Sequence, residues 1–174
     1  MFLVPSAQRP VPIAMIDADT FRSVLGRFAS GVTILTARDK FGADHGMTVS
    51  AFCSLSLQPP LVLCCVDQAA TMFELLRTHP PIGISILATA QEAYSRRFAD
   101  PDWERSERFD AIAYRRGENG VVLLDGALAH LEGRLVEHHD AGDHMILIAE
   151  VERADPLEGR PLLYFRGGYA QLER

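Results

Sequence analysis

The chain is short of cysteine, of clustered basic residues and of long apolar runs, and each shortage removes a class of protein. Its three cysteines, Cys53, Cys64 and Cys65, are odd in number and two are adjacent. That pattern cannot build the disulfide framework of a small secreted domain. All three lie in apolar, strand-like runs where cysteine acts as a small hydrophobe, so a reducing, cytoplasmic setting is expected. The formal charge is -6 and no run of Lys or Arg occurs, which argues against a nucleic-acid partner. The opening MFLVPSAQRPVPIAMI is broken by Pro5, Gln8, Arg9, Pro10 and Pro12, so it lacks the continuous apolar core of a signal peptide or membrane span. Residues 1–18 read as an arm leading into one domain over 19–174, since 174 residues suit a single sizeable core.

Motifs for familiar chemistry are also missing. There is no GxSxG elbow, no GxGxxG after a strand and no GxxxxGK[ST], which leaves neither a hydrolase nucleophile nor a Rossmann or P-loop nucleotide site. A nucleophilic reading would choose Ser50 or Cys53, yet an alternating Ser/Thr strand is a poor setting for a strained, exposed nucleophile. The turn HHDAGDH holds His138, His139, Asp140, Asp143 and His144. Adjacent histidines on a strand point to opposite faces, so a solvated hairpin turn competes with a metal site and with a ligand role for His144 alone. No metal site is expected.

What is present is a series of short strands. Phe21, Val24, Leu25 and Phe28 recur on one helical face behind Asp19 and Thr20, with Gly31 where that helix would end. Strands follow at 32–37, 46–57, 61–66 and 82–87, helices at 71–79 and 91–98, and an irregular, exposed connection over 99–120 with a helical turn near Trp103. ALAHLEGRLVEHH and HMILIAEVERAD read as antiparallel strands joined by DAGD, and residues 161–169 as one last strand. Many short strands with turn signals and few helices favour a closed antiparallel barrel.

The stretch GMTVSAFCSLSLQPP is the least ordinary. With period two, Thr48, Ser50, Ser54 and Ser56 share one face, and Met47, Val49, Ala51, Cys53, Leu55 and Leu57 share the other. Pro59 and Pro60 end the strand. The hydroxyl face can meet solvent, neighbouring Thr side chains, local backbone or a polar ligand.

The segments FRSVLGRFASGVTILTA, GMTVSAFCSLSLQPPLVLCCV, RRFAD, GDHMILIAEVE and PLLYFRGGY, in that order, resemble the flavin reductase family that supplies two-component flavin-dependent monooxygenases. The resemblance implies an FMN-binding split β-barrel with a few peripheral helices, working as a homodimer. It implies reduction of FMN or FAD by NADH or NADPH, with reduced flavin passing to a separate monooxygenase. Carried over residue by residue, it implies a flavin site at Thr48, Val49, Ser50, Ala51, Ser54, Cys65, Val66, Ala70 and Thr71, closed by Phe98. It also implies a nicotinamide site at Asp143 and His144, flanked by Tyr164, Arg166 and Tyr169. Ala70 and Thr71 stand where some members carry Arg or Lys, so the resemblance leaves the phosphate contacts unassigned. A flavin-binding oxidase of the same fold and a non-catalytic flavin-binding module are the alternatives. In the leading reading no acid, base or nucleophile of the chain is needed, because hydride passes between cofactors held in register.

Overall fold

The computed structural model describes residues 16–104 and 107–172. Most of the expected N-terminal arm, residues 1–15, lies outside the described residues. The first helix, α1 (Ala18–Leu25), starts earlier than its apolar spacing suggests, because Asp17 is the cap: its carboxylate accepts from Asp19 N at 3.1 Å and Thr20 N at 2.9 Å. It also stops earlier, at Gly26 instead of running on towards Gly31.

The strands are β1 (Ser30–Gly31), β2 (Thr33–Arg38), β3 (Asp44–Val49), β4 (Phe52–Leu57), β5 (Pro60–Asp67), β6 (Pro81–Ile86), β7 (Tyr114–Arg116), β8 (Val122–Leu124), β9 (Ala129–Ala141), β10 (His144–Pro156), β11 (Leu163–Phe165) and β12 (Gly168–Ala170). Two further helices are α2 (Phe73–Arg77) and α3 (Glu92–Ala99). A seven-stranded antiparallel sheet runs β3-β2-β6-β9-β10-β5-β4. Its two edge strands, β3 and β4, are consecutive in the chain and joined only by Ser50 and Ala51. Two linking residues cannot span a flat seven-stranded sheet, where neighbouring strands sit about 4.8 Å apart. The sheet must therefore roll until its edges approach, and Cys65 N donates to Ala51 O at 3.0 Å, which extends the β4–β5 ladder by one pair into the linker. The expected closed ladder is thus open between β3 and β4, which makes the barrel a split one.

The stretch 46–57 is correspondingly two strands. β3 pairs with β2, whereas β4 pairs with β5 and carries a register shift between Ser54 and Ser56. The single hydroxyl face expected from period two does not survive this break, and the stretch is not a buried strand, since Cys53, Ser54, Leu55 and Leu57 are exposed.

β2 is buried on both faces, which explains its unbroken apolar and β-branched composition. Leu35 and Ala37 enter the barrel interior with Val62, Cys64, Val66, Ile84, Met145 and Leu147, and α2 plugs one end with Leu76. Ile34 faces a second core outside the barrel, shared with Val32, Leu87, Phe98, Ile112, Leu124 and Leu162. Thr33 and Thr36 are buried without penalty because their hydroxyls donate to Val49 O at 2.8 Å and Val122 O at 2.6 Å.

The connection over 99–120 is less exposed than its charge suggests. Arg108 is buried, and its guanidinium donates to Gly46 O at 3.0 Å and Asp100 O at 2.7 Å, while Ile112 joins the second core. β7 and β8 then form a hairpin there. The C-terminal strand is likewise a hairpin: β11 turns at Arg166 and Gly167 into β12, and β1 adds to its other edge. Among the described residues no helix is long and apolar enough to cross a membrane.

Candidate functional site

The second core holds α3 and the β11–β12 hairpin against the outer face of β2 and β3, and a cavity of about 240 Å³ opens between them. β3 and its exit contribute Thr48 and Ser50, α3 contributes Ser95 and Ala99, the hairpin contributes Tyr164 and Tyr169, and Val32 forms the floor. Ser95 links the walls. It is fully buried, its carbonyl accepts from Thr48 Oγ1 at 2.7 Å, and its hydroxyl meets Tyr169 OH at 2.8 Å.

Tyr164 and Tyr169 pack edge to face with ring centroids 5.6 Å apart, and the Arg96 guanidinium lies 4.6 Å from the Tyr169 ring centre. A second cavity of about 320 Å³, lined by Arg96, Asp100, Pro101, Gly167 and Gly168, shares Ala99, Tyr164 and Tyr169 with the first. The two form one groove with small residues on one side and flat aromatic surface on the other, a shape that takes a planar ring.

The break between β3 and β4 supplies polar groups to this groove. Among the described residues neither the Ser50 N–H, the Ala51 N–H nor the Ser50 hydroxyl has a hydrogen-bond partner. Backbone donors left unpaired at a ligand-sized opening can meet the oxygen and nitrogen edges of a heterocycle. The residues present therefore fit a flavin ring: small side chains for close approach, free donors at the edge, and aromatic surface opposite.

Of the expected site residues, the structure brings Thr48, Ser50, Tyr164 and Tyr169 together in the cavity. Ala51 and Cys65 meet at the junction beside it. Val49 and Val66 are instead inward core residues of the barrel, so their side chains are not pocket walls. Phe98 does not close over an open site, being 2% exposed in the second core. Ser54 lies out on β4 and does not line the cavity. Ala70 packs against the barrel core, and Thr71 lines a separate small cleft with Arg108 and His45. Ser95, Ala99 and Arg96 are not among the expected residues; the signal for the first two is the i, i+4 spacing of small residues in EAYSRRFA, which puts Ser95 and Ala99 on one side of the helix.

Asp143 and His144 sit at the β9–β10 turn, tied to the end of β5 by Gln68 N donating to Asp143 O at 3.0 Å. His144 Nδ1 lies 2.7 Å from Asp143 Oδ1, and this hydrogen bond, more than any other cause, holds the Asp143 carboxyl below its ordinary range. His138 pairs instead with His79, nitrogen to nitrogen at 2.8 Å, and His139 pairs with Glu137 at 3.0 Å. Among the described residues no group of three or more His, Cys, Asp or Glu could hold a metal ion. Burial pushes the Cys64 thiol up to about 12, and burial followed by the neighbouring Cys53 raises Cys65.

Comparison with known proteins agrees with this geometry. The profile of the flavin reductase like domain matches residues 25–173. An NADH-dependent flavin reductase from Rhodococcus sp is 44% identical over 158 residues, covering 87% of this chain and 85% of that protein. A reductase subunit of a flavin-dependent monooxygenase from Mycobacterium tuberculosis is 32% identical over 163 residues, 92% of this chain and 85% of that protein. Among solved structures, the Streptomyces globisporus NADH:FAD oxidoreductase in complex with NAD and FAD fragments superposes with a TM-score of 0.84 at 34% identity, covering 92% of this chain and 98% of that one. With a matched profile over most of its length and relatives of this identity, the chain belongs to the flavin reductase like domain family.

Proposed function

We propose that the protein is an NAD(P)H:flavin oxidoreductase that reduces FMN or FAD and releases the product to a separate flavin-dependent monooxygenase. The observation that carries this reading is the groove between β3, α3 and the C-terminal hairpin, with unpaired donors at Ser50 in its wall and at Ala51 beside it. A flavin supplies the hydride acceptor and NADH or NADPH the donor, so the chain's own work is to bind and orient. Thr48, Ser50 and Ala51 hold the ring edge, Tyr164 and Tyr169 present the flat surface, and Ser95 fixes the spacing of the two walls. His144, oriented by Asp143, offers a ring nitrogen to the nicotinamide end. The identity of the Mycobacterium relative, a reductase subunit of a monooxygenase, supports the separate partner.

A homodimer is the second part of the proposal. No residue of α1 is buried within the described chain, and Phe21, Val24, Leu25 and Phe28 are all more than half exposed. An apolar helix face of this size calls for a second copy to cover it. Three free thiols support a cytoplasmic location. The test is direct: purified protein is mixed with NADH, or NADPH, and excess FMN or FAD, and the near-ultraviolet absorbance of the reduced nicotinamide is followed. A decay no faster than in the protein-free control with either nucleotide rejects the activity, and a monomeric mass in sedimentation rejects the dimer.

A further inference from the structure

A third cavity, of about 470 Å³, is lined by Asp19, Arg22, Ser23, Gly26, Arg27, Arg166 and Gly167, and it meets the groove at Gly167. Three arginines line it, Arg22 on α1, Arg27 just beyond that helix and Arg166 on the hairpin, in a chain of net charge -6. Most arginines elsewhere are spent on carboxylates: Arg38 and Arg116 on Asp44, Arg77 on Asp140, Arg115 on Asp155, Arg153 on Glu118. Arg27 and Arg166 have no carboxylate partner among the described residues. Arg22 does pair with Asp19 at 3.0 Å, but both side chains are largely exposed, and such a pair is weak and leaves other donors of the fork free.

The backbone at Arg166 adds a second observation. Arg166 and Gly167 form the two-residue loop between β11 and β12 with φ of 51° and 77°. Such a loop favours Asn-Gly or Gly-Gly, and a side chain as long as Arg in the left-handed region is held at a cost. Its N–H donates to Gly26 O at 2.8 Å, which docks the hairpin tip on the end of α1 and aims both arginine-bearing elements at one opening. The negative end of the helix dipole would hold Arg27 and Arg166 near α1 on its own, but it does not require them to line a cavity that meets the ring groove at Gly167.

We propose that Arg22, Arg27 and Arg166 form a phosphate cradle that receives the pyrophosphate of a dinucleotide whose ring lies in the Tyr164–Tyr169 groove. The inference rests on the oxidoreductase reading for the ring end. The chemistry recognised is a diphosphate between two nucleoside units, which NADH and FAD share and FMN lacks. Arginine forks suit it because each can bind two phosphate oxygens at once. This cradle supplies basic groups that the sequence positions of Ala70 and Thr71 do not.

The test uses the full-length chain and ADP, a diphosphate with neither flavin nor nicotinamide ring, titrated calorimetrically. ADP binds the wild type, and Arg27→Gln combined with Arg166→Asn weakens it roughly tenfold or more, the loss expected for charge-assisted contacts. Asn suits the left-handed position, so the hairpin is kept, and an unaltered melting temperature checks this. Asp19→Asn moves the other way and tightens ADP, which damage to the fold would not do. Two arms then locate the source. A raised KM for NADH with FMN as acceptor assigns the cradle to the nicotinamide nucleotide, and a raised Kd for FAD with unaltered Kd for FMN assigns it to the flavin. Failure of ADP to bind the wild type at millimolar concentration, or equal binding by the double variant, overturns the cradle. Because calorimetry needs no turnover, absence of NADH oxidation in the wild type would reject the activity and leave the cradle standing.

Discussion

Replacing Phe98 by Ala separates a core role from a flavin-covering one. The ring is 2% exposed, packs edge to face on Phe109 with centroids 5.1 Å apart, and shares its cluster with Val32, Ile34, Leu87 and Leu162. It also lies against Gly46 so closely that a Cβ there would stand 2.6 Å from Phe98 Cε1. An aromatic side chain buries about 150–250 Å², which at about 25 cal/mol per Å² is roughly 4–6 kcal/mol, an upper bound because the unfolded chain is already partly collapsed. Truncation of buried phenylalanines costs about 3–5 kcal/mol, so about 4 kcal/mol is expected. At roughly 2–4 °C per kcal/mol for a chain of this length, the melting temperature falls by about 8–16 °C. Phe98→Leu, which keeps most of the volume, costs about 1 kcal/mol and remains folded for binding measurements. The assay is thermal melting by circular dichroism beside flavin titration of the Leu variant. If Phe98→Ala melts within about 2 °C of the wild type while flavin binding is lost, the side chain faces the ligand and the core argument is wrong.

Other outcomes follow from the same geometry. Ser50→Leu places bulk at an exposed strand break, so the melting temperature holds while flavin affinity falls by more than about tenfold; native affinity would remove Ser50 from the pocket. Asp143 is held low by its hydrogen bond to His144, so its contribution is intact above the ordinary carboxylate range near 3.8 and is lost as pH falls through the lower folded value. Carbon-detected titration should therefore give a midpoint below 3.8 that His144→Ala moves back up; an unmoved midpoint would show that the histidine is not the cause. The same His144→Ala change raises the KM for NADH more than the Kd for flavin, and equal effects on both would detach His144 from the nicotinamide end. Cys53 is exposed and Cys64 is buried with its thiol pushed up to about 12, so at mildly alkaline pH Cys53 reacts with a disulfide reagent and Cys64 does not until the protein unfolds. Rapid labelling of Cys64 in the native protein, read by peptide mass mapping, would contradict the buried assignment.

The strands that were legible in the sequence are those whose partners lie on both sides. β2, β5, β6 and the long β9–β10 hairpin carry dense apolar or alternating runs because each is buried against the barrel core, and β2 against the outer core as well. The parts that were not legible depend on distant partners. Period two runs unbroken through Ser50 and Ala51, yet the chain changes partners there from β2 to β5, and no local propensity encodes that exchange. The segment around Arg108 reads as solvated because hydropathy counts a guanidinium as polar, whereas carbonyls of Gly46 and Asp100 let it be buried. Only the family resemblance points Phe98 to the flavin. Its place on α3 is fixed by packing, and the same helix turns Ser95 and Ala99, not Phe98, to the groove.

The candidate site lies where the fold departs from its own regularity. Among the described residues, the backbone N–H groups of Ser50 and Ala51 are left without partners where the ladder stays open between the edge strands β3 and β4. A barrel optimised only for stability would continue β3 into β4 and use those donors across the seam. Leaving them free is tolerable here because Ser50 and Ala51 are exposed, so water satisfies them until a ligand does. The same logic applies at the hairpin tip, where Arg166 occupies a conformation that glycine or asparagine would take more easily. Two local irregularities, far apart in sequence, border cavities that adjoin one another through Tyr164, Tyr169 and Gly167. Packing alone gives no reason for both to open onto adjoining cavities, whereas a ligand with a planar ring at one end and phosphates at the other requires it.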